Sequence, residues 1–358
     1  MATQTLSNLA NALASNYGSL IVDSLIDSSN NHLHGLGLTL DDSKTITGRL
    51  RANGQVFVGG ADSGDSGRYA RQWPVLYSVG AASSYGASDA FPSASAAAYA
   101  NASLDWKRNG ITMEFDNLAA AGARGRSFVG GAEISARDRE FRGKLKSLFA
   151  SIETQLVKDG TGNGSKDIDG CLAFLKLTGN YAGINTTQHY WQPAVLDKGP
   201  APTNAVALVD LQTMLKSMNA NNARPNEIWC SMTQFHKIQA LMDAKIQYVT
   251  QQNQDAFIQS FLIDGIPVYP ISAMNSTNGS QDEIWFINTD ALELRFLPMA
   301  PASGDVGSQS EAADWMGLPI SVEPTNPGID SSGLFIKAYA QLVCLNPSQM
   351  GAIINCAV

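Results

Sequence analysis

Between Leu76 and Ala102 the chain carries one charged side chain, Asp89, in a run made mostly of Ala, Ser and Gly. Tyr77, Tyr85, Phe91 and Tyr99 are spaced along it. Loops this long without structure of their own are uncommon inside a compact domain. Disordered segments usually combine high charge with few aromatics, and this stretch has the reverse. An extended arm lying on a neighbouring protein surface fits it better. The bias reaches the whole chain, since charged residues are 16% of the 358 while hydrophobic residues are 44%, against roughly 25% charged in an ordinary soluble domain. Such a surface is poorly hydrated and repels its own copies weakly, which suits a subunit packed against others like it. A monomer with a neutral polar surface has the same composition. The length allows two cores, or one large core with extensions.

Before the arm, Leu6, Leu9, Leu13, Tyr17 and Leu20 recur at helical spacing and Leu25 continues the stripe. The stretch from Ser28 to Gly67 is polar and Gly-rich with brief apolar patches such as Val56-Phe57-Val58, so the helix is expected to dock on a distant part of the fold or on another subunit. After the arm, Leu104 and Trp106 alternate with polar residues, as do Ile111, Met113 and Phe115. Asn109-Gly110 between them reads as a tight hairpin turn or a bulge.

The strongest helix follows. Ser135 with Asp138 is a loose capping box, and Phe141, Leu145, Leu148, Phe149, Ile152 and Leu156 mark one face of a structural spine. Asp159-Gly160 ends it. At 1.5 Å per residue the helix spans roughly 30 Å. Mixed α/β structure comes next. Leu208, Leu211, Leu215 and Met218 predict a helix ended before Pro225, Ile228-Trp229-Cys230 a strand, and Ser231 with Gln234 the cap of a helix carrying Phe235, Ile238, Leu241 and Met242. Ile266-Pro267-Val268-Tyr269 reads as an edge strand because proline cannot donate to a ladder. Ile284-Trp285-Phe286-Ile287 reads as a buried strand, and Leu292, Leu294 and Phe296 alternate with Glu293 and Arg295. Residues 298–333, with five prolines and five glycines, read as a second long loop. Residues 334–345 and 350–358 close the chain as strands, with Asn346-Pro347-Ser348-Gln349 as the turn, which would set Cys356 near Tyr339.

Catalytic and metal chemistry finds little support. Gly64-Asp65-Ser66-Gly67 matches a serine-protease nucleophile loop, but Arg68 replaces the next glycine and neither His32 nor His34 has the matching setting of a base. His32 and His34 could share a metal on a strand, with no third ligand evident. His189 and His236 are isolated and read as ordinary polar or core residues. Asp159 to Gly170 begins like a calcium loop, yet Gly170 stands where the bidentate Glu belongs. Ser165 precedes Lys166 instead of following it, so a phosphate loop does not fit either. Asp305, Glu311 and Asp314 read as solvated loop charges or an acidic ring at a symmetry axis. Cys171, Cys230, Cys344 and Cys356 form no C-x-x-C pair, which points to a reducing compartment. No cofactor is expected. Neither is a secretory signal or a membrane span.

The order of these parts resembles the Hong Kong 97-type phage capsid family over about residues 70 to 358. Leu156-Val157-Lys158-Asp159-Gly160-Thr161-Gly162 with Gly170 is similar to its helix-ending turn. Asn226-Glu227-Ile228-Trp229 through Leu241 is similar to its strand and short helix. Gly265-Ile266-Pro267-Val268, Met274 and Glu283-Ile284-Trp285-Phe286 resemble its passage from a proline-bearing strand to an apolar one. The resemblance implies an α+β capsid fold. Its parts would be an N-arm (1–70), an extended loop or E-loop (71–118), the spine helix with part of a peripheral P-domain (119–170), mainly the axial A-domain (171–333), and C-terminal strands returning to the core (334–358). It implies a non-enzymatic homo-oligomer of pentamers and hexamers closing an icosahedral shell around phage DNA in the virion, assembled in the host cytoplasm, with scaffolding, portal and decoration proteins as possible partners. Leu6, Leu9, Leu13, Tyr77, Tyr85, Phe91, Tyr99 and Trp106 are the candidate inter-subunit contacts. A net charge of −8 argues against a dedicated nucleic-acid binder but suits a wall that does not adsorb enclosed DNA. A separate scaffold or none is expected, and the tip lacks the lysine that covalent cross-linking needs. An encapsulin-type compartment shares these features, and a hydrolase using Ser66 is the reading from a different class.

Overall fold

The helix expected after residue 135 forms over Ala136–Val157 (α2). In this computed structural model the described residues are 44–58, 69–78, 98–116, 127–129, 132–134, 136–199, 205–243, 262–275, 281–297, 311–315, 318–325 and 331–357. Leu6, Leu9, Leu13, Tyr85, Phe91, His32, His34, Ser66 and the Ser135 cap lie outside them. All six apolar residues on the spine face are buried, and a fully buried side chain of this kind contributes roughly 1.5–3 kcal/mol. The helix packs along Lys107–Asp116 (β4), where Met113 faces it in a shared core.

β4 belongs to the first sheet, organised around the long strand Ser331–Cys344 (β17). β4 pairs antiparallel with β17 from Lys107↔Ala340 to Asp116↔Ser331 without a break. Ala340 also pairs with Phe296 of Leu292–Phe296 (β14), so β14 lies on the opposite side of β17 from β4. Val56–Val58 (β1) adds to β14 in parallel. Asn109-Gly110 is therefore neither a hairpin turn nor a bulge: both residues sit inside the ladder. Asn109 Oδ1 accepts from Gln155 Nε2 of α2 at 2.7 Å, and a Cβ on Gly110 would lie 2.6 Å from the Phe335 ring. Packing, not turning, fixes that pair.

The second sheet runs Leu262–Ile263 (β11), Ile266–Pro270 (β12), Glu227–Cys230 (β10), Ile284–Ile287 (β13), Gly351–Ile354 (β18) and Ala194–Asp197 (β9). Both of its faces are covered. Ile228, Ile284, Phe286 and Ile353 pack with Leu208–Ala220 (α3) and Met232–Asp243 (α4), while Trp229, Trp285, Ile287 and Ala352 face the core that α2 closes. A strand buried on both sides reads as a continuous apolar run instead of an alternating one, which accounts for Ile284–Ile287. β14 is likewise buried throughout, its Glu293 and Arg295 included, so its alternation marks paired charges inside the protein and not a solvent face.

Further expectations are corrected. β12 is not an edge strand, because β11 folds back on it; Pro267 is tolerated since pairing with β10 begins only at Val268. The region 298–333 contains the hairpin Glu311–Trp315 (β15) and Leu318–Thr325 (β16), joined to β17; Pro319 and Pro324 made it read as loop. Asn346–Gln349 does form the short turn between the two terminal strands, but β17 and β18 enter different sheets instead of pairing, so Cys356 lies in the second core, away from Tyr339. The four cysteines are free and buried. The polar stretch 28–67 also contributes to the core, through Ile46–Ala52 (α1) and β1. Strands β9 to β13 enter the second sheet and β14 to β16 the first.

α1 joins the two halves. Thr45 caps its own helix by accepting from Gly48 N, and Glu153 of α2 accepts from the Ile46 and Thr47 amides at 3.1 and 3.0 Å. Burial raises the Glu153 carboxyl above its usual range, and those bonds offset only part of the rise. On the other side, buried Glu227 of β10 accepts from Arg49, from Asn53 at 2.7 Å and from Trp229 Nε1 at 2.6 Å. The Arg49 guanidinium lies 3.6 Å from the Tyr269 ring centre.

The turn after α2 is held by close backbone approach. A Cβ on Gly170 would come within 2.4 Å of the Gln155 and Leu156 carbonyl oxygens, whereas one on Gly351 would meet Met214 Cε at 2.3 Å and Met218 Sδ at 2.7 Å. Methionine ends can move and backbone cannot. Gly170→Ala is therefore expected to destabilise the chain by about 3 kcal/mol and Gly351→Ala by about 1 kcal/mol, read from urea unfolding midpoints.

Burial, reinforced by neighbouring Asp282 and opposed by the Trp285 indole N–H, raises the Glu283 carboxyl to about 7 from 4.5. An acid whose folded pKa is raised favours the folded state at low pH and loses that contribution as pH climbs from 4.5 to 7. Glu283→Gln keeps an acceptor for Trp285. It should match the parent at pH 4 and exceed it by up to about 2 kcal/mol at pH 8, checked by denaturant titration at both values.

Candidate assembly surface

Tyr69–Ser78 (β2) and Ala98–Asp105 (β3) form an antiparallel two-stranded arm. Two short strand pairs accompany the body, Ser127–Val129 (β5) with Ala132–Ile134 (β6), and Asn180–Tyr181 (β7) with Ile184–Asn185 (β8). The root of the arm is fastened at home. Arg71 pairs with Glu293 at 3.1 Å, Arg295 reaches the same carboxylate at 2.7 Å, and Arg295 also donates to the Ala70 carbonyl. The Trp73 indole donates to the Leu345 carbonyl at 3.1 Å, and Ser103 N to the Ala182 carbonyl at 3.1 Å.

An aromatic cluster underlies β2. Trp73 packs on Trp191 with ring centres 6.4 Å apart, Trp191 on Tyr181 at 6.2 Å, and Tyr181 edge-on to Phe174 at 5.5 Å. The Tyr181 hydroxyl oxygen accepts from Cys344 N at 2.6 Å, and burial pushes this phenol well above its usual range. Further out, Tyr77 stacks on Tyr190 at 5.2 Å while 46% exposed. The excursion is thus not wholly foreign to its own body: Ala70, Trp73, Ala102 and Leu104 are buried there.

Strand alternation puts Trp73 and Val75 on the inner face and Gln72, Pro74 and Leu76 on the outer one. Leu76 is directly opposite Tyr99. These two are 46% and 62% exposed, forming an apolar pair on the outer face. Trp106 is half-buried between β3 and β4, and its indole nitrogen is buried without a partner. Among the candidate contacts, then, Tyr77 and Tyr99 lie on the arm and Trp106 at its junction with β4, and Tyr99 is the most exposed of the three. Leu76, opposite Tyr99, was missed by the sequence reading; the cross-strand register that pairs them depends on bulges near Tyr69 and Ser78.

Elsewhere the surface offers little chemistry. Asp159 accepts from Thr161 and from Lys176 Nζ at 2.5 Å, and these partners hold its carboxyl near about 2 despite some desolvation. It is the hinge of a turn. His189 and His236 are both exposed. Glu311 and Asp314 fall on β15. Among the described residues no group of three His, Cys, Asp or Glu side chains is placed to hold a metal, and no helix is long and apolar enough to cross a membrane.

No protein-family model matches the sequence, and no curated protein is similar to it. Solved structures are similar in fold. A capsid subunit of cyanophage A-1(L) superposes with a TM-score of 0.64 at 16% identity, covering 89% of this chain and 95% of that one. The chain has a Hong Kong 97-type capsid fold. The capsid of a native GTA particle (TM-score 0.53, 11% identity, 86% of this chain and 90% of that one covered) and the holo-SrpI encapsulin complex of Synechococcus elongatus PCC 7942 (0.52, 10% identity, 86% and 88% covered) are also similar in fold.

Root and outer face of the arm should separate energetically. Trp73→Ala, which empties the aromatic cluster, is expected to cost about 3–5 kcal/mol of subunit stability. Tyr99→Ser, at a solvent-facing position, should stay within about 0.5 kcal/mol of the parent. Thermal unfolding of the two purified variants checks the contrast.

Proposed function

We propose that this chain is the major capsid protein of a tailed bacteriophage, a structural subunit and not an enzyme. It self-assembles into pentamers and hexamers that close an icosahedral shell around double-stranded DNA. The reading is carried by one observation: a Hong Kong 97-type body bears a firmly rooted two-stranded arm with the apolar pair Leu76 and Tyr99 turned outward. Exposed apolar groups on a rigid projection gain free energy only when a neighbour covers them. Contacts between unlike faces of identical subunits close into rings when the rotation closes, and many modest contacts make a stable particle.

In this reading the first sheet with α2 is the core of the P-domain and the second sheet with α3 and α4 that of the A-domain. The chain ahead of α1 supplies the N-arm, with Leu6, Leu9 and Leu13 as its contact stripe, and the E-loop adds Tyr77, Tyr85, Phe91 and Trp106 to the outward pair. The shell belongs to the virion, assembled in the host cytoplasm, with scaffolding, portal and decoration proteins as partners. The likeness to an encapsulin at a TM-score of 0.52 supports a second reading, a protein compartment without DNA. Nuclease-protected DNA inside purified particles distinguishes the phage shell from a compartment filled with protein.

Replacing Leu76 and Tyr99 by serine and residues 79–97 by a short Gly-Ser turn removes the outward pair and the tip while keeping β2, β3 and their anchors. The shortened chain is expected to fold with an unchanged circular dichroism spectrum and to yield no stable particles by electron microscopy. Shells of normal yield and diameter from it would defeat the assembly role of the arm.

A further inference from the structure

We propose that Asn163, in the turn after α2, is a site of spontaneous modification at which the side-chain amide is lost and an aspartate or isoaspartate takes its place. The Gly164 main-chain nitrogen gives up its proton to water and bonds to Asn163 Cγ, while the Cγ–Nδ2 bond breaks and that nitrogen leaves as ammonia. Water then opens the cyclic imide at either carbonyl. An amide is exchanged for a carboxyl, and nothing is oxidised or reduced.

A following glycine favours the reaction, because it has no Cβ to obstruct ring closure and its backbone rotates freely. Asn-Gly occurs at residues 53, 109, 163 and 278, and the last lies outside the described residues. The fold treats the other three differently. Asn109 is 8% exposed inside the β4–β17 ladder, its Oδ1 accepts from Gln155, and the Phe335 ring stands against Gly110. No rotation is open to that pair. Asn53 and Gly54 are exposed, but both reacting nitrogens are engaged. Gly54 N donates to the Arg51 carbonyl at 2.9 Å, and Asn53 Nδ2 donates to the Arg49 carbonyl at 3.0 Å and to Glu227 Oε1 at 2.7 Å.

At 163 none of these restraints exists. Asn163 and Gly164 are both exposed, and a Cβ on Gly164 would have nothing within 4 Å. Among the described residues neither the Asn163 side chain nor Gly164 N makes a hydrogen bond. The bonds that close the turn around them, Ser165 N to the Thr161 carbonyl and Lys166 N to the Gly162 carbonyl, are both 3.3 Å, longer than ordinary N–H···O bonds. The product is also accommodated. Asn163 has a φ of 49°, in the left-handed region that Asp tolerates much as Asn does. Its new carboxylate would join a cleft lined by Arg108 and Lys166 as well as Asp167. The site lies in the body of the subunit, and the inference does not rest on the proposed assembly.

The test incubates the full-length chain in mildly alkaline buffer and follows each site by peptide mass mapping. Trypsin leaves the three in separate peptides, bracketed by Arg51 and Arg68, Arg108 and Arg124, and Lys158 and Lys166. In the folded chain Asn163 should convert first. Asn53 should follow at least about tenfold more slowly, since hydrogen bonds at both its nitrogens must open beforehand. Asn109 should remain intact. In denaturant, where no fold restrains them, the three should convert at similar rates. The proposal is overturned if Asn163 converts no faster than Asn53 in the folded chain. It is equally overturned if the same ranking persists in denaturant, which would make the preference a property of local sequence and not of this turn.

Discussion

The second sheet is covered on both faces, and this constraint governs the rest of the molecule. With helices on one side and the spine's core on the other, anything that ties the two halves together must pass through an interior where an unpaired charge is prohibitive. The chain meets the condition with three carboxylates, each saturated by donors. Glu153 holds the start of α1, Glu227 holds its Arg49 and Asn53, and Glu293 gathers Arg71 and Arg295. Removing one member of such a group leaves the others stranded, so these residues set which pieces sit together more than how strongly the whole is held.

Those three groups also sort the molecule into parts that are fixed and a part that is presented. α1 is the tie between the sheets. The Glu293 group and the aromatic cluster beneath Trp73 are the tie between the first sheet and the arm. Beyond Tyr77 the inward anchors among the described residues end, and Leu76 and Tyr99 meet solvent. The fold thus supplies a body with an adhesive limb, which is the physical content of the shell-forming proposal.

Much of this was legible in the amino acids. The α2 face could be read because six large apolar residues at helical spacing have one simple solution, and Ile284–Ile287 because an uninterrupted apolar strand must be covered twice. The failures share a cause. Asn109-Gly110 has the composition of a turn, but what it obeys is a ring from Phe335 and an amide from Gln155, both remote in sequence. Prolines at 319 and 324 hid a hairpin whose partners lie on β17. Residues 46–58 looked too thin to matter because their stabilising groups, Glu153 and Glu227, are over a hundred positions away. Of the candidate surface, the aromatic spacing was visible, whereas the pairing of Leu76 with Tyr99 depends on strand register that no local pattern carries.

The double fastening of β2 and β3 to the body has a geometric corollary. Ten residues of strand at about 3.3 Å each make a lever of roughly 33 Å. A tilt of only about 10° at its base would displace the far end by about 6 Å, more than the width of a side-chain contact at that reach. Arginines clasping one carboxylate and an indole pinned to a main-chain oxygen suppress that tilt. Aim is thereby decided inside each molecule before any encounter, and curvature over a large closed surface can be inherited from the angle at a single joint.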